Sequence, residues 1–294
     1  MVSHIPISVL KGVTEQLSLN DLSSIRNFTF AGGGCINQGG RLETSIGIFF
    51  LKWNDTKKFP GMFEAESKGL KLLHHQRAIR IPKVLAVGEN GSYQFLLLEF
   101  IEQQSRSKKF WRQLGNCLAS LHRNSFDTYG LDHDNYIGSL RQLNKQDSSW
   151  INFFIQQRLA VQVAQAVDSK LAGNNWIKHF DALYKKLPEL LTDEKPALLH
   201  GDLWSGNLIT DESGQPCLID PAVYYGNRET DLAMTQLFGG FDETFYSSYH
   251  DDFPLLPGLE DRLEVYKLYP LLVHVNLFGT SYVPSVEGIL RRFI

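Results

Sequence analysis

Ten consecutive residues, LLHGDLWSGN at 198–207, constrain this chain more than any other stretch. They place a carboxylate, Asp202, five positions before an amide, Asn207, and a second carboxylate, Asp220, follows thirteen positions later. Short apolar runs at 197–199 and 216–219, separated by the turn residues Asp211, Ser213 and Gly214, predict two strands whose loops hold these polar groups. An isolated acid and amide would be an ordinary capped turn, because both residue types favour turns for backbone reasons. With a second acid at a strand end, the set supplies a base and two oxygen ligands for a hard cation. Mg²⁺ bound together with nucleotide phosphates takes such sparse protein ligation.

The upstream elements appear in an order that supports this reading. Residues 28–100 read as a β-rich unit that opens on a glycine cluster, Gly32, Gly33, Gly34, Cys35, Ile36 and Asn37. Glycines there let backbone N–H groups approach phosphates. Gly39-Gly40 is expected to mark the next turn, and the β-branched and aromatic run TSIGIFFLKW at 44–53 the following strand. Phe63, Leu70 and Leu73 predict a helix over 63–75, closed by Arg80-Ile81-Pro82, and two further strands are expected at 84–87 and 94–100. After Glu102 the periodicity turns helical: Leu114, Leu118 and Leu121 share a face, and 150–167 reads as helix. Lys52 is awkwardly placed among Phe49, Phe50, Leu51 and Trp53 unless it has a partner or faces a cleft. The next helix offers Glu66, and as a second choice Glu64. Asp202 and Asn207 share the Asp-to-Asn spacing of the protein-kinase catalytic loop, which also follows a strand lysine and precedes a metal-binding acid.

Beyond that pattern, the chain resembles the fructosamine (ketosamine) kinases, relatives of aminoglycoside and choline kinases. The resemblance rests on GGGCIN at 32–37, FEAESKGLKLL at 63–73, DNYIGS at 134–139, LLHGDLWSGN at 198–207 and DPAVYYGNRETDLAMTQLFGGF at 220–241. It implies an α+β, two-lobe protein-kinase-like fold, with a small β-rich ATP-binding lobe over 1–101 and a larger, mainly helical catalytic and substrate lobe over 102–294. It makes Asp202 the base for a sugar hydroxyl, Asn207 and Asp220 the holders of Mg²⁺, and Lys52 the phosphate clamp oriented by Glu66. Glu99 and Ile101 would meet the adenine edge through backbone groups, while Asp231 would buttress the catalytic loop. Trp204 would wall the sugar, and His274, with Asn276 nearby, would line the acceptor pocket. Asn135 and Tyr136 belong to a family-like loop with a packing role. The implied reaction transfers the γ-phosphoryl of ATP to the 3-hydroxyl of a sugar joined through a ketoamine to a small or protein-linked amine, a deglycation repair. Gly201 after His200, and Asp220-Pro221-Ala222 in place of D-F-G, argue against a protein substrate of the protein-kinase kind and against a phosphate-switched activation loop.

Composition sets the outer bounds. With 43% hydrophobic and 21% charged residues over 294 positions, the chain is expected to be globular, which excludes a disordered or fibrous protein. Its net charge of -3 and lack of a long basic block exclude a phosphate-tracking nucleic-acid surface; SRSKK at 105–109 reads as a solvated face. No apolar stretch reaches the roughly 18 residues that span a bilayer, and the N-terminus lacks a basic-then-apolar leader. Cys35, Cys117 and Cys217 lack C-x-x-C spacing and fit a reducing compartment, so a cytoplasmic location is expected. Cys117 and Cys217 are expected to be buried, and Cys35 reads first as a small inert loop residue, with a redox switch as the alternative. Two alternatives stay open at this level: a kinase of another small alcohol, and a nucleotide-binding regulatory module without transfer activity.

Overall fold

A computed structural model describes residues 4–31 and 37–294. The backbone divides into two compact units, the first running to Phe110 and taking back Leu208–Asp220, the second comprising Trp111–Asn207 and Pro221–Ile294.

The first unit begins with α1 (Ile7–Gln16), followed by β1 (Ile25–Phe30), β2 (Gln38–Thr44), β3 (Ile48–Asp55), α2 (Met62–Gln76), β4 (Val84–Asn90) and β5 (Tyr93–Glu99). The strands form one antiparallel sheet in the order β1-β2-β3-β5-β4. Strand side chains alternate between faces, so Leu51 and Trp53 enter a core with Val9, Val13, Phe28, Phe95 and Leu97, while Lys52 points the other way. Each such side chain, fully buried, is worth roughly 1.5–3 kcal/mol. Helix α2 has the expected apolar stripe, with Phe63, Leu70 and Leu73 buried, and ends at Arg77, which adopts a left-handed φ of 54°.

Gly39 and Gly40 do not form the expected turn. They lie inside β2, opposite Lys52 and Leu51, and a Cβ on Gly40 would come within 2.2 Å of the Thr29 carbonyl oxygen. The glycine serves close strand approach. The turn instead falls after Thr44, whose N–H and hydroxyl both donate to the Gly47 carbonyl, at 2.9 and 3.0 Å.

The returning segment of the first unit is a hairpin of β9 (Leu208–Thr210) and β10 (Pro216–Leu218). The Leu218 N–H donates to the Arg80 carbonyl at 3.0 Å, and Cys217 bridges Arg80 in parallel. Cys217 is buried, as expected, and burial pushes its thiol up to about 12.

The second unit contains most of α3 (Phe110–His122), then the β6 (Asn135–Ile137) and β7 (Leu140–Gln142) hairpin. A continuous helical stretch follows as α4 (Trp150–Phe153), a π-helical turn at Phe154–Leu159 and α5 (Ala160–Asp168). Next come α6 (Asn175–Leu190), β8 (Ala197–Leu199), β11 (Tyr224–Gly226), α7 (Glu229–Thr235), α8 (Glu243–Asp252), α9 (Leu259–Phe278) and α10 (Val283–Phe293). Helix α9 is apolar around much of its circumference, with Leu263, Tyr266, Leu268, Leu272, Val273 and Val275 buried, and it packs against α5, α7 and α10. A helix apolar on all sides belongs in an interior. Trp150 donates to the Tyr266 hydroxyl at 3.0 Å and stacks on Phe153 and Phe154, which pins the start of the long helical stretch to α9. Cys117, expected in the core, is only half-buried, because its place on α3 falls at the edge of the apolar face set by Leu114, Leu118 and Leu121.

Candidate functional site

In the first unit, the central strand β3 carries Lys52 and the facing helix α2 carries its partner. The Lys52 Nζ lies 2.7 Å from Glu66 Oε1 and 2.6 Å from Asp220 Oδ1. Glu64, the second choice from sequence, stands exposed. Lys52 is only 5% exposed. Burial opposes its charge, but the attraction of Asp220 and Glu66 wins and holds its pKa above the ordinary lysine value. Burial raises Glu66, and the nearby Asp220 carboxylate adds to the rise against the pull of Lys52. One ammonium thus holds two carboxylates, arriving 14 and 168 positions away in sequence. Asp220 adopts a left-handed φ of 54° immediately before Pro221, and its side chain is 45% exposed.

The other first-unit candidates are arranged around β2, β3 and β5. Asn37 accepts from the Asn54 amide at 2.8 Å; Gly32, Gly33, Gly34, Cys35 and Ile36 lie outside the described residues. The Glu99 side chain is engaged by Arg80 at 2.6 Å and by the Lys83 N–H at 3.1 Å, and its own N–H donates to the Lys83 carbonyl at 2.9 Å. Ile101 is buried. In residues 105–109 every side chain but Ser107 is exposed, in keeping with a solvated face.

In the second unit, the loop after β8 is wired to α7 by a single carboxylate. Asp231, 2% exposed, accepts from the His200 N–H at 2.8 Å and the Gly201 N–H at 2.9 Å, while His122 Nε2 lies at 3.2 Å. The other His122 nitrogen, Nδ1, meets the Tyr249 hydroxyl at 2.8 Å. Burial works against ionisation of Asp231, but its hydrogen bond with His122, electrostatic attraction towards His122 and His200, and the Gly201 N–H outweigh it and hold the carboxyl below its ordinary value. Gly201 is demanded by this geometry: its φ is +82°, and a Cβ would meet the Ala222 carbonyl oxygen at 2.0 Å. An arginine cannot occupy the place.

Asp202 follows, its N–H donating to His200 Nδ1 at 3.3 Å. A short turn at Ser205–Asn207 brings the Asn207 amide back, so that its Nδ2 donates to both the Asp202 carbonyl and the Asp202 Oδ2 at 2.9 Å. These two contacts commit the amide nitrogen to Asp202. A Cβ on Gly206 would lie 2.3 Å from the Trp204 indole that covers it, so any larger residue there would have to displace the ring. Asn207 Oδ1 and, in the first unit, the Asp220 carboxylate are each hard oxygen donors of the type that Mg²⁺ accepts. Among the described residues no group of three or more His, Cys, Asp or Glu side chains could hold a metal.

A cavity beside this loop is lined by Gly201, Asp202, Asp231, Met234, Tyr269 and His274, among others. His274 is half-buried, and burial holds its pKa below the ordinary histidine value. Asn276 turns away, donating to the Gln162 carbonyl and side chain at 2.9 and 2.8 Å. Asn135 is structural: it donates to the Val223 carbonyl at 2.8 Å and accepts from Gln142 and Asn144 at 2.8 and 3.0 Å. Gln142 also donates to the Ala222 carbonyl at 3.0 Å. This buried amide network fixes the backbone just beyond Asp220–Pro221, a role that sequence spacing alone did not reveal. Tyr136 stands half-exposed beside Asn135.

The model of the fructosamine kinase family matches residues 10–294. A ketosamine-3-kinase of Mus musculus is 34% identical over 298 residues, covering 92% of this chain and 96% of the relative. A crystal structure from Thermobifida fusca, provisionally named a fructosamine-3-kinase, is 29% identical with a TM-score of 0.87 over 98% of both chains. The aminoglycoside phosphotransferase APH(4)-Ia, at 16% identity and a TM-score of 0.63 over 97% of this chain and 99% of that one, shares the fold. The architecture is thus the two-lobe kinase-like one, with a sheet-rich N-terminal part and a helical C-terminal part, and the chain belongs to the fructosamine kinase family.

Proposed function

We propose that this protein is an ATP-dependent ketosamine 3-kinase, transferring the γ-phosphoryl group of Mg-ATP to the 3-hydroxyl of a sugar linked through a ketoamine to an amine. The observation that carries the reading is the Asp202 loop: a carboxylate at the edge of a cavity, held by the Asn207 amide and, one residue earlier, by the Asp231 anchor. Asp202 accepts the proton of the attacking hydroxyl, a role worth roughly 10²- to 10⁴-fold in rate. Lys52, kept charged by Glu66 and Asp220, binds phosphate oxygens. Asn207 and Asp220 hold the Mg²⁺, which supplies charge neutralisation on the phosphates. Glu99 and Ile101 meet the adenine through their backbones, and residues 32–37 cover the phosphates. Trp204 and His274 border the acceptor. In this reading the N-terminal lobe, residues 1–101, binds the nucleotide, and the lobe from 102 onward carries base and acceptor site.

The acceptor's amine is a small molecule or a protein side chain, and phosphorylation at position 3 destabilises the adduct, a deglycation repair. A cytoplasmic setting suits this role and the free Cys117 and Cys217. Among the described residues no helix is long and apolar enough to cross a membrane. The test is ADP release with Mg-ATP over a panel of ketosamines, choline and an aminoglycoside, with Asp202→Asn as control. Selective turnover of ketosamines that falls by at least about 10²-fold in the variant is expected. Turnover of choline or the aminoglycoside alone would refute the substrate class, and ATP binding without transfer to any acceptor would refute the enzyme reading.

A further inference from the structure

His274 contributes to two surfaces. It lines the cavity beside Asp202, and it is also the hub of a cluster of aromatic rings. Its centroid lies 4.5 Å from Phe238, 5.0 Å from Tyr282 and 5.3 Å from Phe278. Phe238 meets Tyr282 at 6.3 Å and Trp204 at 6.2 Å, both edge-on. These rings are not core. Phe238 is 38% exposed and Phe278 49%. Phe238 also holds a φ of +56°, rare for a bulky side chain, and leads into Gly239 and Gly240 at +108° and +69°. The backbone thus holds this ring against His274, which itself lines the cavity.

The chemistry of the surroundings selects what the rings would take. Among the described residues the cavity lining includes Asp202 and Asp231 and no Lys or Arg, while Arg158 lies over the Tyr224 and Tyr269 rings. His274 Nδ1 lies 2.7 Å from the Pro270 carbonyl, which only accepts, so the hydrogen sits on Nδ1 and the lone pair of the neutral ring on Nε2. Burial favours the neutral form of the imidazole. Exposed π-faces, an acceptor nitrogen and nearby carboxylates together favour a cation carrying an apolar chain. A ketosamine has that character beyond its sugar: a protonated secondary amine followed by the amine's own alkyl substituent.

We propose that Phe238, Phe278 and Tyr282, gathered on His274, form the subsite for the amine half of the ketosamine, taking its nitrogen and alkyl chain against their faces. The proposal rests on the ketosamine kinase reading above and deepens it: the sugar reaches Asp202, and the substituent on nitrogen lies across the rings. Selectivity among glycated amines then depends on how much hydrocarbon follows the nitrogen.

The test uses ketosamines that share one sugar and carry either methylamine or n-hexylamine. The readout is the ratio of kcat/KM for the hexyl over the methyl compound, taken within each protein so that a reduced folded fraction cancels. A buried methylene is worth roughly fourfold in binding, so partial cover of the longer chain predicts a ratio on the order of tenfold in the wild-type protein. Phe238→Ala and Phe278→Ala should each lower the ratio, and together bring it within about twofold of unity, whereas Phe278→Tyr, which keeps the ring, should retain it. A wild-type ratio near unity, or a ratio unchanged in the double variant, would overturn the subsite while leaving the kinase reading intact. Failure of the wild-type protein to phosphorylate either compound would overturn both.

Discussion

Replacing Asp231 by Asn changes one atom and tests how the catalytic loop is held. The carboxylate receives two backbone N–H groups and a histidine at 2.8, 2.9 and 3.2 Å, two of them on Oδ2 and one on Oδ1. An amide has a single acceptor oxygen. If that oxygen takes the Oδ2 position, it keeps His200 and His122, and the amide NH₂ then faces the Gly201 N–H. That buried donor goes unsatisfied, at a cost of about 1–3 kcal/mol, and the other two bonds lose their charge assistance, about 1 kcal/mol each. Relief of burying a charge offsets part of this, but the offset is smaller than the loss, since the carboxyl is held below its ordinary value despite burial. We expect a net destabilisation of about 3 kcal/mol, a large part of the 5–15 kcal/mol typical of a folded protein. Urea unfolding should report it, and hydrogen exchange should show the His200 and Gly201 amides losing protection first. The pH dependence supplies a sign. Because its folded pKa is depressed, Asp231 contributes stability that is fully present above the ordinary carboxylate value of 3.8 and lost as pH falls through the folded value. The variant should lack that part of the acid-limb loss. Unfolding within about 0.5 kcal/mol of the wild type, with both amides still protected, would refute this account of the loop.

Two further substitutions probe the two units separately. Lys52→Met removes the ammonium that holds Glu66 and Asp220, and should lower kcat/KM for ATP by at least about 10²-fold; a change under about threefold in steady-state ADP release would contradict the clamp role. Gly206→Ala pushes a methyl group to within 2.3 Å of the Trp204 ring, so the indole must leave. The expected result is a rise of about tenfold in KM for the ketosamine, roughly 1.4 kcal/mol, with KM for ATP held within twofold. An equal rise in both constants would mean that the loop itself, and not the indole, had moved.

Much of this site was legible because the chemistry makes demands that a sequence displays. A lysine among Phe49, Phe50, Leu51 and Trp53 needed a carboxylate, and Glu66 was near enough in sequence to be found; the pairing at 2.7 Å follows. The amide at Asn207 returns to Asp202 because five residues suffice for a tight turn. What stayed hidden depends on neighbours that only the fold assembles. A glycine pair reads equally as a turn or as close strand approach, and the Thr29 carbonyl over Gly40 decides for the second. Gly201 is set by Ala222, twenty-one positions on, which turns an apparent departure from the protein-kinase pattern into a steric necessity. The aromatic cluster shows both conditions in one place. His274 and Phe278 are four apart on α9, a spacing that puts them on one helical face, and Tyr282 follows the helix end at Gly279 within a short turn. Phe238 joins them from the segment after α7, and nothing in its own neighbourhood announces that partner. The three contacts that Phe238 makes with Trp204, His274 and Tyr282 join the catalytic loop to the end of α9. Any change in the backbone at 238–240 should therefore be felt first in the choice of amine, and only afterwards in the transfer of phosphate.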